Sequence, residues 1–156
     1  MTEALSPVMT LLEVREFLER DFSAVFGPGL PFSVEATGPG SAVLKLTPDN
    51  SHLRPGKTIS GPSLFALADL AAFTVIIAHI GPVALAVTSS MNINFLRKPA
   101  LSPVLGEGRI LRLGKRNAVC EVWMRQASDG AMVAHATGTF AIPARSEEHT
   151  SELQSQ

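Results

Sequence analysis

Residues 62–80, PSLFALADLAAFTVIIAHI, form an almost wholly apolar run with a single formal charge, Asp69. Within the wider stretch 58–82, the run contains no glycine and no proline after its first residue, and it stops at Gly81-Pro82, a common helix terminator. The pattern predicts one helix of about five turns. Its apolar residues Leu64, Phe65, Leu67, Leu70, Phe73, Val75, Ile76 and Ile77 cover every side, so such a helix has to be surrounded.

Three environments can surround it. At about 1.5 Å per residue the run approaches bilayer thickness, but an aspartate near its centre costs roughly 2.5–3.5 kcal/mol on insertion scales. No one-sided Lys/Arg cluster flanks it either. A plain core helix would leave Asp69 buried without a purpose, and aspartate is rarely buried unless paired or functional. The remaining reading is a helix wrapped by a sheet, presenting one reactive carboxylate in an apolar pocket, and this is the one we adopt.

The chain has 156 residues, 46% hydrophobic and 17% charged, which suits one globular domain with a real core. A net charge of −1 gives no footprint for a nucleic-acid partner. The single cysteine, Cys120, excludes an internal disulfide and reads as inert core. The four histidines, His52, His79, His135 and His149, stand far apart, so no metal is expected. No apolar run follows Met1, so a secretory signal is not expected and the cytoplasm is the default location. Residues 145–156, RSEEHTSELQSQ, break abruptly in composition and are expected to be a disordered tail. RSEEHTSELQS resembles the in-frame translation of a sequencing adapter, so the tail is expected to be non-native sequence.

Along the chain, Thr10 to Glu13 has the form of a capping box, and Leu11, Val14, Leu18, Phe22 and Val25 follow at helical spacing. A first helix is expected to run to about Phe26, within a helical segment 1–30. Alternation then predicts strands over 32–37 and 42–47, separated by the Gly38-Pro39-Gly40 turn. A long loop, SHLRPGKTIS, leads into the apolar helix, a position that often carries function.

After the helix, residues 84–96 read as a long strand. Val87, Met91, Ile93 and Phe95 fall on one face and Thr88, Ser90, Asn92 and Asn94 on the other. Strands over 104–113, 118–127 and 131–142 follow, with Gly106 and Gly108 suggesting a bulge. The expected class is α+β, an antiparallel sheet curled round one long central helix, as a single domain over 31–144.

SGPSLFALAD, residues 60–69, is similar to the His-Gly-Gly-x-x-Phe-x-Leu-x-Asp pattern of the hotdog-fold thioesterases, and TSSMNINFLRKPA, residues 88–100, resembles the strand that follows in that family. The resemblance is nearest to the phenylacetate-pathway, PaaI-type branch and spans about 32–143. It implies the hotdog fold, homodimers or homotetramers, and hydrolysis of an acyl-CoA thioester with a small or aromatic acyl group. No cofactor is implied, because coenzyme A is part of the substrate.

The resemblance puts Asp69 on the family's catalytic carboxylate and Gly61 on the glycine whose N–H polarises the thioester carbonyl. Thr88 falls where a relative positions water through a hydroxyl. Ser60 stands in place of the family's histidine, and Pro62, in place of its second glycine, fits the first helical position, where a missing N–H costs nothing. Asn50 and Ser89 are further substrate-positioning candidates, although a turn former and a strand residue are their plainer readings, as a loop residue is for His52. Arg97, Lys98, Lys115 and Arg116 are candidates for the phosphates of coenzyme A, against the plainer reading of solvated strand ends.

Two other functions fit the same fold. Loss of the histidine at Ser60 is compatible with a non-catalytic acyl-CoA-binding module. A hotdog hydratase or dehydratase would want a His–Asp pair in a suitable motif, which the chain does not show. Eight residues of helix separate Gly61 from Asp69, about 12 Å along the axis. One carbonyl cannot meet both within a single chain, so a dimer sharing its sites is expected, with strand 88–94 as the candidate edge.

Overall fold

The computed structural model describes residues 5–144, so the tail expected to be disordered lies outside the described residues. Helix α1, Leu11–Asp21, starts at the capping box: the Glu13 N–H donates to Thr10 Oγ1 (3.1 Å) and the Thr10 N–H to Glu13 Oε1 (2.9 Å). It ends at Asp21 rather than near Phe26. Phe22 leaves the helix to pack edge-on against Phe73 (centroids 5.1 Å apart), and Phe26 is drawn into a bridge with Phe32. These ring contacts override the helical periodicity of the sequence.

Strands β1 (Phe32–Gly38) and β2 (Ser41–Leu46) form the first hairpin. The following loop is more ordered than expected. It contains a 3₁₀ turn, Asn50–His52, and a small hairpin of β3 (Leu53–Arg54) and β4 (Thr58–Ile59). Gly56 (φ 95°) and Lys57 (φ 59°) make its left-handed corner.

Helix α2, Gly61–Ile80, then crosses the domain and ends where the Gly81 N–H caps Ile77 O (2.8 Å) with Gly81 at φ 105°. Pro62 is the second helical residue, not the first, and the missing N–H is harmless there for the same reason. Strands β5 (Val87–Phe95), β6 (Val104–Leu113), β7 (Asn117–Gln126) and β8 (Met132–Ala141) complete an antiparallel sheet ordered β1-β2-β6-β7-β8-β5.

The sheet wraps α2, and by length and apolarity alone α2 could cross a membrane, but 67% of its apolar window is buried in this domain. The buried aliphatic side chains Leu64, Leu67, Val75, Ile76 and Ile77 each contribute about 1.5–3 kcal/mol relative to exposure. Gly106 and Gly108 let the helix approach the sheet, and no bulge occurs between them. A Cβ on Gly108 would stand 2.7 Å from Ala71 O, and one on Gly106 would stand 3.0 Å from Leu67 Cγ. The irregularity of β6 lies further on, between Ile110 and Arg112.

At the far end of α2, buried His79 accepts the Gly40 N–H at Nε2 (2.9 Å) and donates from Nδ1 to Val75 O (2.8 Å), an arrangement that selects one neutral tautomer. Helix α1 shares this core through Val14, Phe17 and Leu18.

Candidate active site

The first half of α2 turns a stripe away from the sheet: Pro62, Phe65, Ala66, Asp69 and Leu70 recur at helical spacing and all retain solvent exposure. In the second half, residues 71–79 are buried throughout. Asp69 is therefore the last accessible polar group before the helix disappears under α1.

Thr88 Oγ1 donates a hydrogen bond to Asp69 Oδ1. Plain alternation along β5 puts Thr88 on the face opposite Met91, but a bulge between Thr88 and Ser90 resets the period. Thr88 pairs with buried Phe140 and Met91 with buried Gly138, so both point towards α2. The extra residue is Ser89, whose hydroxyl donates to Thr139 O (3.0 Å) and is thereby tied to the neighbouring strand.

Gly61 opens α2, one residue after the N-cap Ser60. Ser60 Oγ accepts the Ser63 N–H (3.3 Å) and lies 2.8 Å from Ser63 Oγ. The Gly61 N–H meets no acceptor among the described residues and sits at the positive end of a 20-residue helix. The cap is anchored by the 3₁₀ turn: the Ser60 N–H donates to His52 O (2.7 Å), and Ser63 Oγ donates to the same oxygen (3.4 Å). Asn50, which opens that turn, is exposed. Beside it, the Ser51 hydroxyl and then the Ser51 N–H hold the Asp49 carboxyl below the usual carboxylate range, with a smaller contribution from the charge of His52.

Next to Gly61 an open groove of about 420 Å³ is lined by Arg54, Thr58, Ile59, Phe95, Leu96, Arg97, Lys98 and Pro99. It joins the candidate oxyanion donor to Arg97 and Lys98 and adds a third cation, Arg54. The loop holding Arg54 stands out in the sequence, but Arg54 itself does not, because only the β3–β4 hairpin turns it to the groove. Phe95 was also missed as a site residue: a Cβ on Gly61 would stand 3.4 Å from its ring.

The groove's far wall depends on Gln126, a buried side chain without any sequence signal. Its Oε1 accepts the Ala100 N–H (2.5 Å), and its Nε2 donates to Ser102 Oγ (3.0 Å). Lys115 and Arg116 lie elsewhere, in the β6–β7 turn. Asn117 pairs with Ala141 and Ala141 with Val87, so this turn is at the Thr88 end of the sheet, while Arg97 and Lys98 follow the Phe95 end. Arg116 Nε donates to Ile142 O (3.3 Å).

One chain thus holds the two candidate groups, Gly61 and Asp69, towards opposite ends of one strand. Strand β5 runs antiparallel to α2, with Phe95 beside Gly61 and Thr88 beside Asp69. It is also an edge strand, and on it or directly after it Val87, Phe95 and Leu96 are substantially exposed.

The model of the thioesterase superfamily matches residues 56–142, which takes in Gly61, Asp69, Thr88 and the groove residues other than Arg54. No curated protein matches the chain. Among solved structures, a candidate thioesterase from Silicibacter sp. is 37% identical, with a TM-score of 0.81 over 89% of this chain and 95% of its own. The PaaI protein of the E. coli phenylacetic acid degradation operon is 22% identical, with a TM-score of 0.65 over 72% of this chain and 80% of its own. A hypothetical thioesterase from Streptococcus pneumoniae, solved with coenzyme A, is 24% identical, with a TM-score of 0.69 over 84% and 97%. The helix wrapped by a six-stranded sheet is the hotdog fold these structures share, and with the family match over more than half its length the chain belongs to the thioesterase superfamily.

Proposed function

We propose that this protein hydrolyses an acyl-CoA thioester, with a small or aromatic acyl group, to the free acid and coenzyme A. The observation that carries the reading is Asp69, half-buried on the open face of α2 and oriented by the Thr88 hydroxyl. Membership of the thioesterase superfamily supports the reaction class. The pneumococcal relative, solved with coenzyme A, supports the carrier.

In this reading Asp69 takes a proton from water as the water oxygen attacks the thioester carbonyl carbon. The C–S bond then breaks, and the CoA thiolate leaves and is reprotonated. Alternatively the carboxylate attacks directly, the C–S bond breaks and the CoA thiolate leaves, and water then opens the mixed anhydride to the free acid and the restored carboxylate. Developing negative charge on the carbonyl oxygen is met by a Gly61 N–H and the helix dipole behind it. Arg54, Arg97 and Lys98 fit the phosphates of coenzyme A through charge-assisted hydrogen bonds.

The donor comes from a second copy. Gly61 and Asp69 are about 12 Å apart along one axis, whereas the carbonyl needs its donor within about 3 Å. Antiparallel pairing of β5 with β5 of another copy reverses one strand against the other. The partner subunit's Gly61 then comes to Asp69, with two equivalent sites per dimer. The same pairing buries the apolar residues exposed along β5 and satisfies its open edge. Lys115 and Arg116 would then stand at the same end as the partner's groove, about 10 Å in from the edge at two strand spacings. Pairing of dimers into a tetramer is compatible with this arrangement. The protein acts in the cytoplasm without a cofactor.

A binding module is the second reading, favoured by one observation: the Ser60 hydroxyl is engaged in capping α2, so the role of the family's histidine is left unfilled. Steady-state release of CoA from acetyl-, butanoyl-, hexanoyl- and benzoyl-CoA decides between them. Turnover that falls at least about 100-fold in Asp69→Asn supports hydrolysis. Tight binding without turnover supports the module, and hydration of an enoyl-CoA without CoA release overturns both.

A further inference from the structure

The acyl group needs a place beyond Asp69, and the exposed stripe of α2 leads to a wall. One turn past Asp69, about 6 Å along the axis, the same stripe reaches Phe73, which is only 5% exposed. It is covered by α1 and the residue that ends it: Phe73 stacks on Phe17 (centroids 6.4 Å, 27° between planes) and meets Phe22 edge-on (5.1 Å, 63°). Phe17 and Phe22 also contact each other (6.3 Å, 71°), and the Arg20 guanidinium lies 5.8 Å from the Phe17 ring centre. Of the three rings, Phe22 is the one that stays half-exposed, at the point where helical periodicity in α1 fails.

We propose that Phe22, seated on Phe73, is the end wall of the acyl-binding face and limits the substrate to short-chain or single-ring acyl groups. The inference rests on the acyl-CoA hydrolysis proposed above. Between Asp69 and the wall, the stripe carries only the apolar Leu70 among the described residues, which fits a hydrocarbon end group. Rings held in mutual edge and stacked contact yield little to a longer chain, because displacing one forfeits its contacts with the other two.

The test measures kcat/KM for acetyl-, hexanoyl-, benzoyl- and decanoyl-CoA in the full chain. Wild type is expected to disfavour decanoyl-CoA by at least about tenfold, the scale of hydrophobic-pocket discrimination. In Phe22→Ala the decanoyl/acetyl ratio should rise about tenfold or more, and in Phe22→Trp the hexanoyl/acetyl ratio should fall. A purely structural role lowers all substrates together and leaves these ratios unchanged, which overturns the proposal. So does a wild-type enzyme that takes decanoyl-CoA as readily as acetyl-CoA. If Phe22→Ala does not fold, Phe22→Leu and Phe22→Trp read the same ratios. A wild-type protein that hydrolyses none of the four fails the proposed function itself, which is a different outcome from activity with an unmoved profile.

Discussion

Thr88 Oγ1 donates to Asp69 Oδ1 although the two stand nineteen positions apart on two different elements, β5 and α2. A hydroxyl bonded to a carboxylate is worth about 1.5–3 kcal/mol. It also fixes the rotamer of a group that, in the proposed reaction, meets a carbonyl within a few tenths of an ångström. Thr88→Val keeps the shape and removes the donor, so kcat is expected to fall about 10- to 100-fold with the melting temperature little changed. Full activity in a folded Thr88→Val protein would show that Asp69 needs no such support.

Two inactive variants should rescue each other. Asp69→Ala keeps the Gly61 end intact, and Gly61→Leu, which crowds the Phe95 ring, keeps Asp69. After subunit exchange at equal mixing, about half of the dimers are mixed with one sound site of two, so activity should climb towards about a quarter of wild type. No rescue despite exchange proven by mass spectrometry would place both groups of each site in one chain.

Gln126 positions the loop of Arg97 and Lys98 through Ala100 and Ser102 without touching the groove. Gln126→Ala is expected to raise KM for acyl-CoA about fivefold, the equivalent of roughly 1 kcal/mol of binding. The maximal rate should move far less. A matched loss in kcat would assign Gln126 to the chemistry instead.

At Gly108 the sheet comes so close to the helix that a Cβ would lie 2.7 Å from a backbone oxygen of α2. Gly108→Ala should destabilise by about 1–3 kcal/mol through overpacking, which lowers the melting temperature by roughly 2–4 °C per kcal/mol for a domain of this size. Gly38→Ala, whose added Cβ meets only Ser41 Oγ at 3.4 Å, is the control expected to change little.

Burial pushes the Cys120 thiol from its ordinary 9.0 up to about 12. Below pH 9 the thiol is protonated whether the chain is folded or not, so stability does not depend on it. Between about 9 and about 12 the unfolded chain has lost the proton that the folded chain keeps, and stability falls by up to about 1.4 kcal/mol per pH unit. Urea titrations of wild type and Cys120→Ala across that window should differ in slope, with the wild type steeper. Parallel slopes would mean that the thiol ionises freely in the folded protein.

The helix run 62–80, the glycine stop and the alternating strands were legible from residue type, because unbroken apolarity and period-two faces are properties of the local chain, although α2 is buried on all sides only over 71–79 and keeps an exposed stripe before that. Asp69 was legible for the same reason: a lone carboxylate in an apolar helix is costly enough to ask for an explanation. Contacts between distant residues were not legible. The bulge at Ser89, which turns Thr88 towards Asp69, follows from pairing with β8 and leaves no mark in β5's own alternation. Gly106 and Gly108 read locally as a bulge, whereas packing made them the floor on which α2 rests. Phe22 has the spacing of a helix residue, and only the rings of Phe17 and Phe73 drew it out to form the wall. Local pattern reports which surface a residue must bury, but the partner that buries it is chosen when the chain closes on itself, and the partners of Asp69, Gly61 and Phe22 were decided there.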